Sequence, residues 1–204
     1  MNTAWMGTGS AAMILIIAAW QLGPLPLRLL PGAFLVLIGY SFTKRFTWLS
    51  HFILGFTDGL APVGAWAAVR GSLFTPSDLP AWILLCIVTF WIGGFDLIYA
   101  CQDVDFDRRE GLYSIPAQFS IRSALWLSFF CHLLTIALLI WLGLWSQLTW
   151  PYWLGCLITA ALLGYEHIIV RPDDLSRIDL AFFNINSYIS ITLFLGILGS
   201  LLLF

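Results

Sequence analysis

Residues 96–116 read DLIYACQDVDFDRREGLYSIP and carry most of the chain's capacity for chemistry. If one helix runs through this stretch at about 100° per residue, Asp96, Asp103 and Asp107 fall within about 40° of one another. Tyr99, Ala100 and Glu110 flank that stripe, and Asp105 points the opposite way. Carboxylates spaced i, i+4 repel unless a cation sits between them. Oxygen-only ligands without His or Cys suit a hard cation such as Mg²⁺, which is commonly held by one or two carboxylates plus substrate phosphates. The plainer reading is an acidic helix end facing water. Asp96 argues against it, because an aspartate inside an apolar run is costly without a partner or a polar cavity. A second group, Tyr40-Ser-Phe-Thr-Lys44-Arg45, places two cations at the end of an apolar run. Lys44 offers a point charge for phosphate and Arg45 a bidentate one; ordinary anchoring of a membrane span is the alternative.

The elements that position these groups are apolar helices. A span needs about 20 mostly apolar residues, and seven candidates are found, at 4–22, 25–42, 46–69, 80–101, 123–145, 150–170 and 180–204. Gly23-Pro24, Thr43-Lys44-Arg45, residues 71–76 and Arg171-Pro172-Asp173-Asp174 separate them. Alternate loops put Lys44, Arg45, Arg108, Arg109, Arg122, Arg171 and Arg177 on one face and only Arg28 and Arg70 on the other. Seven against two predicts that the charged face is cytoplasmic. Seven crossings then place the N-terminus inside and the C-terminus outside. Nearly all the acidic residues share the charged face; Asp58 and Asp78 do not. Trp5, Trp82, Trp145, Trp150 and Trp153 fit an interfacial aromatic belt.

Composition agrees. The 204-residue chain is 60% apolar and 10% charged, against about 45–50% and about 25% in soluble domains. Mean hydropathy is +0.92. The fold class expected is therefore all-α, a polytopic transmembrane bundle forming a single domain over residues 1–204. A net charge of −2 leaves no basic surface for nucleic acid. Cys86, Cys101, Cys131 and Cys156 stand apart in apolar runs and read as small buried hydrophobes. The first apolar run has no basic segment before it and no small-residue cleavage site, so no removable signal peptide is expected. His51 and His132 read as isolated polar groups in spans, and Glu166 with His167 as a polar pair at a helix end. Asn184 and Asn186 read as interhelical hydrogen-bond groups.

The pattern Asp96-x-x-Tyr99-Ala100-x-x-Asp103-x-x-x-Asp107-x-x-x-Gly111 resembles the second aspartate-rich motif of the UbiA-type intramembrane prenyltransferases. Tyr40-x-x-x-Lys44 resembles that family's YxxxK element. Residues 40–69, with Gly55, Gly59, Pro62 and Gly64, are similar to the following span of the 4-hydroxybenzoate polyprenyltransferases. QDVDFDRREGLYSIPAQF and YEHIIVRPDDLSRIDLAFFNIN look most like the bacterial 4-hydroxybenzoate or menaquinone-precursor branch. The resemblance covers essentially the whole chain. It also implies nine spans and a first motif of NDxxDxxxD type, neither of which is found. The chain is thus expected to begin near the family's third span and to be N-terminally incomplete.

What the resemblance implies is Mg²⁺-dependent transfer of a polyprenyl group from its diphosphate to an aromatic acid, in quinone biosynthesis at the bacterial inner membrane. Asp103 and Asp107 would hold the metal, with Lys44 and Arg45 on phosphate oxygens. Asp96 would orient the acceptor or take its ring proton, and Tyr40 and Tyr99 would present π faces to an allyl cation. Two alternatives stand beside this: an inactive membrane module retaining half of the site, and a small transporter using Asp96 as its ion site.

Overall fold

The computed structural model describes residues 2–203, with side chains from residue 6 onward. Seven long helices follow in order: α1 (Asn2–Leu22), α2 (Pro24–Thr43), α3 (Ser50–Arg70), α4 (Leu79–Tyr99), α7 (Ile121–Trp145), α8 (Trp150–Ile169) and α9 (Asn186–Leu202). Two short helices, α5 (Val104–Arg109) and α6 (Ile115–Gln118), lie between α4 and α7. Among the described residues six helical segments are long and apolar enough to cross a membrane, one fewer than the seven expected. The seventh helix, α1 (Asn2–Leu22), is 21 residues long and is described with its side chains only over Met6–Leu22. Trp5 (its side chain) and Phe204 lie outside the described residues.

Helix starts follow local chemistry. Proline occupies the first turn of α2, α4 and α8, where a missing N–H costs nothing. Ser120 caps α7 by accepting from the Ser123 N–H at 3.0 Å. The third span begins at Ser50 and not at residue 46, because residues 44–49 form successive turns. The link between α3 and α4 is held at Asp78, which is fully buried. Its carboxylate accepts from Trp66 Nε1 at 2.9 Å, from Thr75 N–H at 2.9 Å and from the Ser72 and Thr75 hydroxyls.

α3 packs most extensively on α4, and α4 in turn on α7. Gly55 and Gly59 explain the first contact. A Cβ on Gly59 would lie 2.8 Å from the Leu85 carbonyl oxygen, and one on Gly55 would meet the Thr89 carbonyl. Backbones therefore touch, as small residues allow in membranes, and α3 continues unbroken through Pro62. The core of Ile87, Phe95, Leu139, Tyr152, Leu163 and Ile189 joins α4, α7, α8 and α9. A second cluster, including Leu97, Ile98, Ile115, Leu125, Val170 and Ile178, closes the end that carries the acidic segment. Leu35, Val69 and Phe74 are among many exposed apolar side chains, the surface expected of a bundle solvated by lipid. The rings of Trp82, Trp145 and Trp150 are exposed near helix ends. The last span opens with a π-helical turn, Leu180–Ile185.

Candidate active site

The acidic segment is not one continuous helix. α4 ends at Tyr99, a 3₁₀ turn covers Ala100–Asp103, and α5 restarts at Val104. A 3₁₀ turn winds about 20° more per residue than an α-helix, so it rotates the following carboxylates away from the stripe expected for one helix. Asp107 is carried inward to 1% side-chain exposure, Asp103 is half-buried, and Asp105 and Glu110 are exposed. α5 is then stopped by Gly111 at φ +65°, and the Leu112 N–H caps the Asp107 carbonyl at 2.8 Å.

The two groups of residues meet across 63 positions of sequence. Lys44 Nζ lies 3.2 and 3.4 Å from the two oxygens of Asp107. The main chain repeats the contact, because the Tyr113 N–H donates to the Lys44 carbonyl at 2.6 Å. Lys44 remains 32% exposed. It faces a cavity of about 170 Å³ that is also lined by Tyr40, Thr43, Ser50 and Asp96. Asp103 lies close enough to Lys44, Asp107 and Asp96 to feel the charge of all three. Arg45 does not join them: it is exposed, with its guanidinium 5.4 Å from the centre of the Phe42 ring. Tyr99 turns its ring onto Phe182 of the π-helical turn, with centroids 4.2 Å apart.

Asp96 has a partner that the sequence did not suggest. His51, fully buried on the first turn of α3, places Nδ1 2.6 Å from Asp96 Oδ2. Its Nε2 accepts from the Ile115 N–H at 3.3 Å. That bond fixes the tautomer: Nε2 carries the lone pair, so Nδ1 carries the proton and donates to the carboxylate. Asp96 keeps 21% exposure and borders the cavity, where the buried Ser50 hydroxyl has no protein partner. A polar pair opening a span, six and seven residues after Lys44, was the available signal for Ser50 and His51. Asp58, further along α3, is exposed, yet near enough to Asp96 to feel its charge.

His132 is not isolated, since its Nδ1 is 3.0 Å from His167 Nε2. Glu166 and His167 do not pair; adjacent residues on a helix face different directions, and both Glu166 oxygens are buried without a protein partner. Asn184 is exposed and the buried side-chain Oδ1 of Asn186 has no partner, so neither is seen bridging helices. All four cysteines are free thiols; Cys101, Cys131 and Cys156 are buried as expected, whereas Cys86 is exposed, on a face of α4 that no other described helix covers.

The donor set fits a hard cation: three carboxylates, one half-buried among like charges that a divalent ion would relieve. Among the described residues no three His, Cys, Asp or Glu side chains converge closely enough to hold a metal by themselves.

The profile of the UbiA prenyltransferase family matches residues 1–188. A 4-hydroxybenzoate octaprenyltransferase of Methylobacillus flagellatus is 31% identical over 93% of this chain and 62% of its own length. The mitochondrial 4-hydroxybenzoate polyprenyltransferase of Caenorhabditis elegans is 34% identical over 82% of the chain and 46% of its own. The chain thus spans about half to two thirds of the length of such relatives. The apo structure of a UbiA homologue from Aeropyrum pernix superposes with a TM-score of 0.86 at 28% identity, covering 98% of this chain and 73% of that one. A structure of digeranylgeranylglyceryl phosphate synthase, 18% identical with a TM-score of 0.73, shares the fold.

Proposed function

The chain belongs to the UbiA prenyltransferase family of integral membrane proteins, and on that premise we propose that it transfers a polyprenyl group from polyprenyl diphosphate to an aromatic acid such as 4-hydroxybenzoate in quinone biosynthesis. The observation that carries this reading is the cavity where Tyr40, Lys44 and Asp96 converge, with Lys44 reaching Asp107 at its rim. It sets a cation for phosphate beside carboxylates for a hard metal, at the end of an apolar bundle that can lodge a prenyl tail.

The reaction breaks the allylic C1–O bond of the diphosphate, joins C1 to a ring carbon of the acceptor and releases the ring proton. Mg²⁺ held by Asp103 and Asp107 would neutralise charge gathering on the diphosphate as it leaves. Lys44, partly exposed and facing the cavity, binds phosphate oxygens and orients them. The Tyr40 ring faces the developing allyl cation. Asp96, held by His51, orients the acceptor and takes the ring proton. Arg45 and Tyr99, with their rings and charges committed elsewhere, hold supporting positions at most. The charged face lies on the cytoplasmic side of a bacterial inner membrane, as the seven-to-two excess of Lys and Arg implies, and seven crossings, α1 included, put the N-terminus inside and the C-terminus outside.

The test is the chain reconstituted in vesicles with octaprenyl diphosphate, 4-hydroxybenzoate and Mg²⁺, followed by mass spectrometry of the extracted lipid. Prenylated 4-hydroxybenzoate is expected, lost on adding EDTA and lost in Asp103→Asn. Product that survives either change overturns the metal assignment. Absence of product together with proton-coupled solute uptake overturns the enzyme reading in favour of transport through Asp96.

A further inference from the structure

A second cavity lies away from the site just described. It is a groove of about 410 Å³ between the first turns of α7 and the end of α8. Arg122 and Arg171 stand at its mouth, Trp126 and Phe129 line one wall, and His167 and Pro172 line the other. It shares no residue with the cavity around Lys44 and Asp96, and no carboxylate lines it.

Three features of the groove point to one kind of occupant. First, both cations are available. Among the described residues neither arginine forms an ion pair within 4 Å; the pairs are Lys44–Asp107, His51–Asp96 and Arg70–Asp78. Asp174 is near enough to Arg171 to feel its charge. Its Oδ1, however, accepts from the Ser176 N–H at 3.1 Å and hydroxyl at 2.7 Å. Arg171 spends only its Nε–H, on the Ile168 carbonyl at 3.3 Å. Second, Arg122 sits in the first turn of a 25-residue helix that has no acidic residue there. A cation at that end opposes the helix dipole, whereas an anion beside it is favoured by dipole and guanidinium together. Third, the groove has a polarity gradient along the membrane normal. Trp126 and Phe129 follow Arg122 by four and seven residues, about 6 and 10 Å deeper along the helix. Trp126 is 58% exposed, on the lipid side of the bundle.

The histidine pair at the back adds an acceptor. His132 Nε2 lies 3.3 Å from the Trp91 carbonyl, so it carries the proton and leaves Nδ1 as the acceptor. His167 must then donate from Nε2 to His132, which leaves its own Nδ1 with a lone pair. A wall residue with a free lone pair accepts from a hydroxyl and offers nothing to a phosphate oxygen.

We propose that this groove binds an anionic glycerophospholipid of the surrounding bilayer, its phosphodiester between Arg122 and Arg171, a headgroup hydroxyl at His167 and an acyl chain along Trp126 and Phe129. Phosphatidylglycerol has this chemistry: one negative phosphodiester, free hydroxyls on the headgroup and two tails. A basic pocket between transmembrane helices at the charged membrane face is the setting in which lipid headgroups are recognised.

The experiment is native mass spectrometry of the whole chain in detergent, titrated with phosphatidylglycerol and, separately, with phosphatidylcholine of the same chains. One phosphatidylglycerol should be retained in preference to phosphatidylcholine. Arg122→Gln or Arg171→Gln should each weaken it about fivefold, and the double variant about 25-fold, taking each arginine at its usual contribution to anionic-lipid attraction. A normal thermal melt of the double variant guards against misfolding. His167→Phe should narrow the preference for phosphatidylglycerol over phosphatidic acid methyl ester, which lacks the hydroxyls. Equal retention of the two lipids, or retention indifferent to both arginines, overturns the proposal. So does displacement by millimolar inorganic phosphate, which would mark a site for free phosphate. Displacement by equimolar octaprenyl diphosphate would instead give the groove to the prenyl substrate and overturn it equally.

Discussion

His51→Phe is the substitution that tests the site's architecture most directly. It keeps an aromatic ring in a fully buried position and removes two hydrogen bonds at once. Loss of a hydrogen bond to a charged group costs about 1.5–3 kcal/mol, and leaving the Ile115 N–H buried without an acceptor costs about 1–3 kcal/mol more. The single variant should therefore lose about 2.5–6 kcal/mol, toward the lower end because Asp96 keeps 21% exposure and water can solvate it. A double-mutant cycle with Asp96→Ala separates the two contributions. Hydrogen bonds between membrane helices average only about 0.6 kcal/mol in such cycles, with a maximum near about 1.7 kcal/mol. The 2.6 Å distance and the carboxylate acceptor put this one at the top of that range. Unfolding in mixed micelles titrated with SDS, followed by far-ultraviolet circular dichroism, gives all four free energies. A coupling near or below the membrane average would refute the assignment of His51 as the group that holds Asp96. A cycle with Ile115 cannot replace this one, since its donor is main chain.

Two further variants probe the frame around the site. Gly55→Ala should destabilise by about 1–3 kcal/mol, as overpacking does, because the added methyl meets main-chain atoms of Thr89 and Gly93 that cannot turn aside. Gly64→Ala, with open space around its Cβ position, should be neutral or gain up to about 1 kcal/mol of helix propensity; equal losses at both positions in the same micelle assay would sink the backbone-contact account of α3 and α4. Asp78→Ala should lower the melting temperature by several degrees, since it strands Trp66, Ser72 and Thr75 at the turn between those helices. An unchanged melting curve there would mean that the turn is held by packing alone.

The sequence made the helical bundle legible through plain hydropathy, and the shared membrane side of Lys44 and the acidic segment through loop alternation; the direct Lys44–Asp107 pair came only with the fold. The geometry within the acidic segment was not legible. Residues 100–103 differ from an α-helix by a tighter winding that no residue type there announces, so the stripe expected of one helix is broken before Asp107, which lies buried beside Lys44. Histidines were misread for a related reason: His51 and His132 each look solitary until tertiary packing supplies Asp96 and His167. Periodicity reports which face of one helix is apolar and is silent about what another helix brings to it. The same limit made Glu166 and His167 look like partners because they are neighbours in sequence.

The bond from the Tyr113 N–H to the Lys44 carbonyl has a consequence of its own. It ties the strip that carries the cation to the strip that carries the carboxylates through atoms common to nearly every amino acid. Position 113 is therefore open to drift: histidine, lysine or any other residue satisfies it, and proline alone is barred for want of a hydrogen on nitrogen. Inheritance can change the exposed side chain at that point while the main-chain bond keeps the segment that carries Lys44 beside the one that carries Asp107.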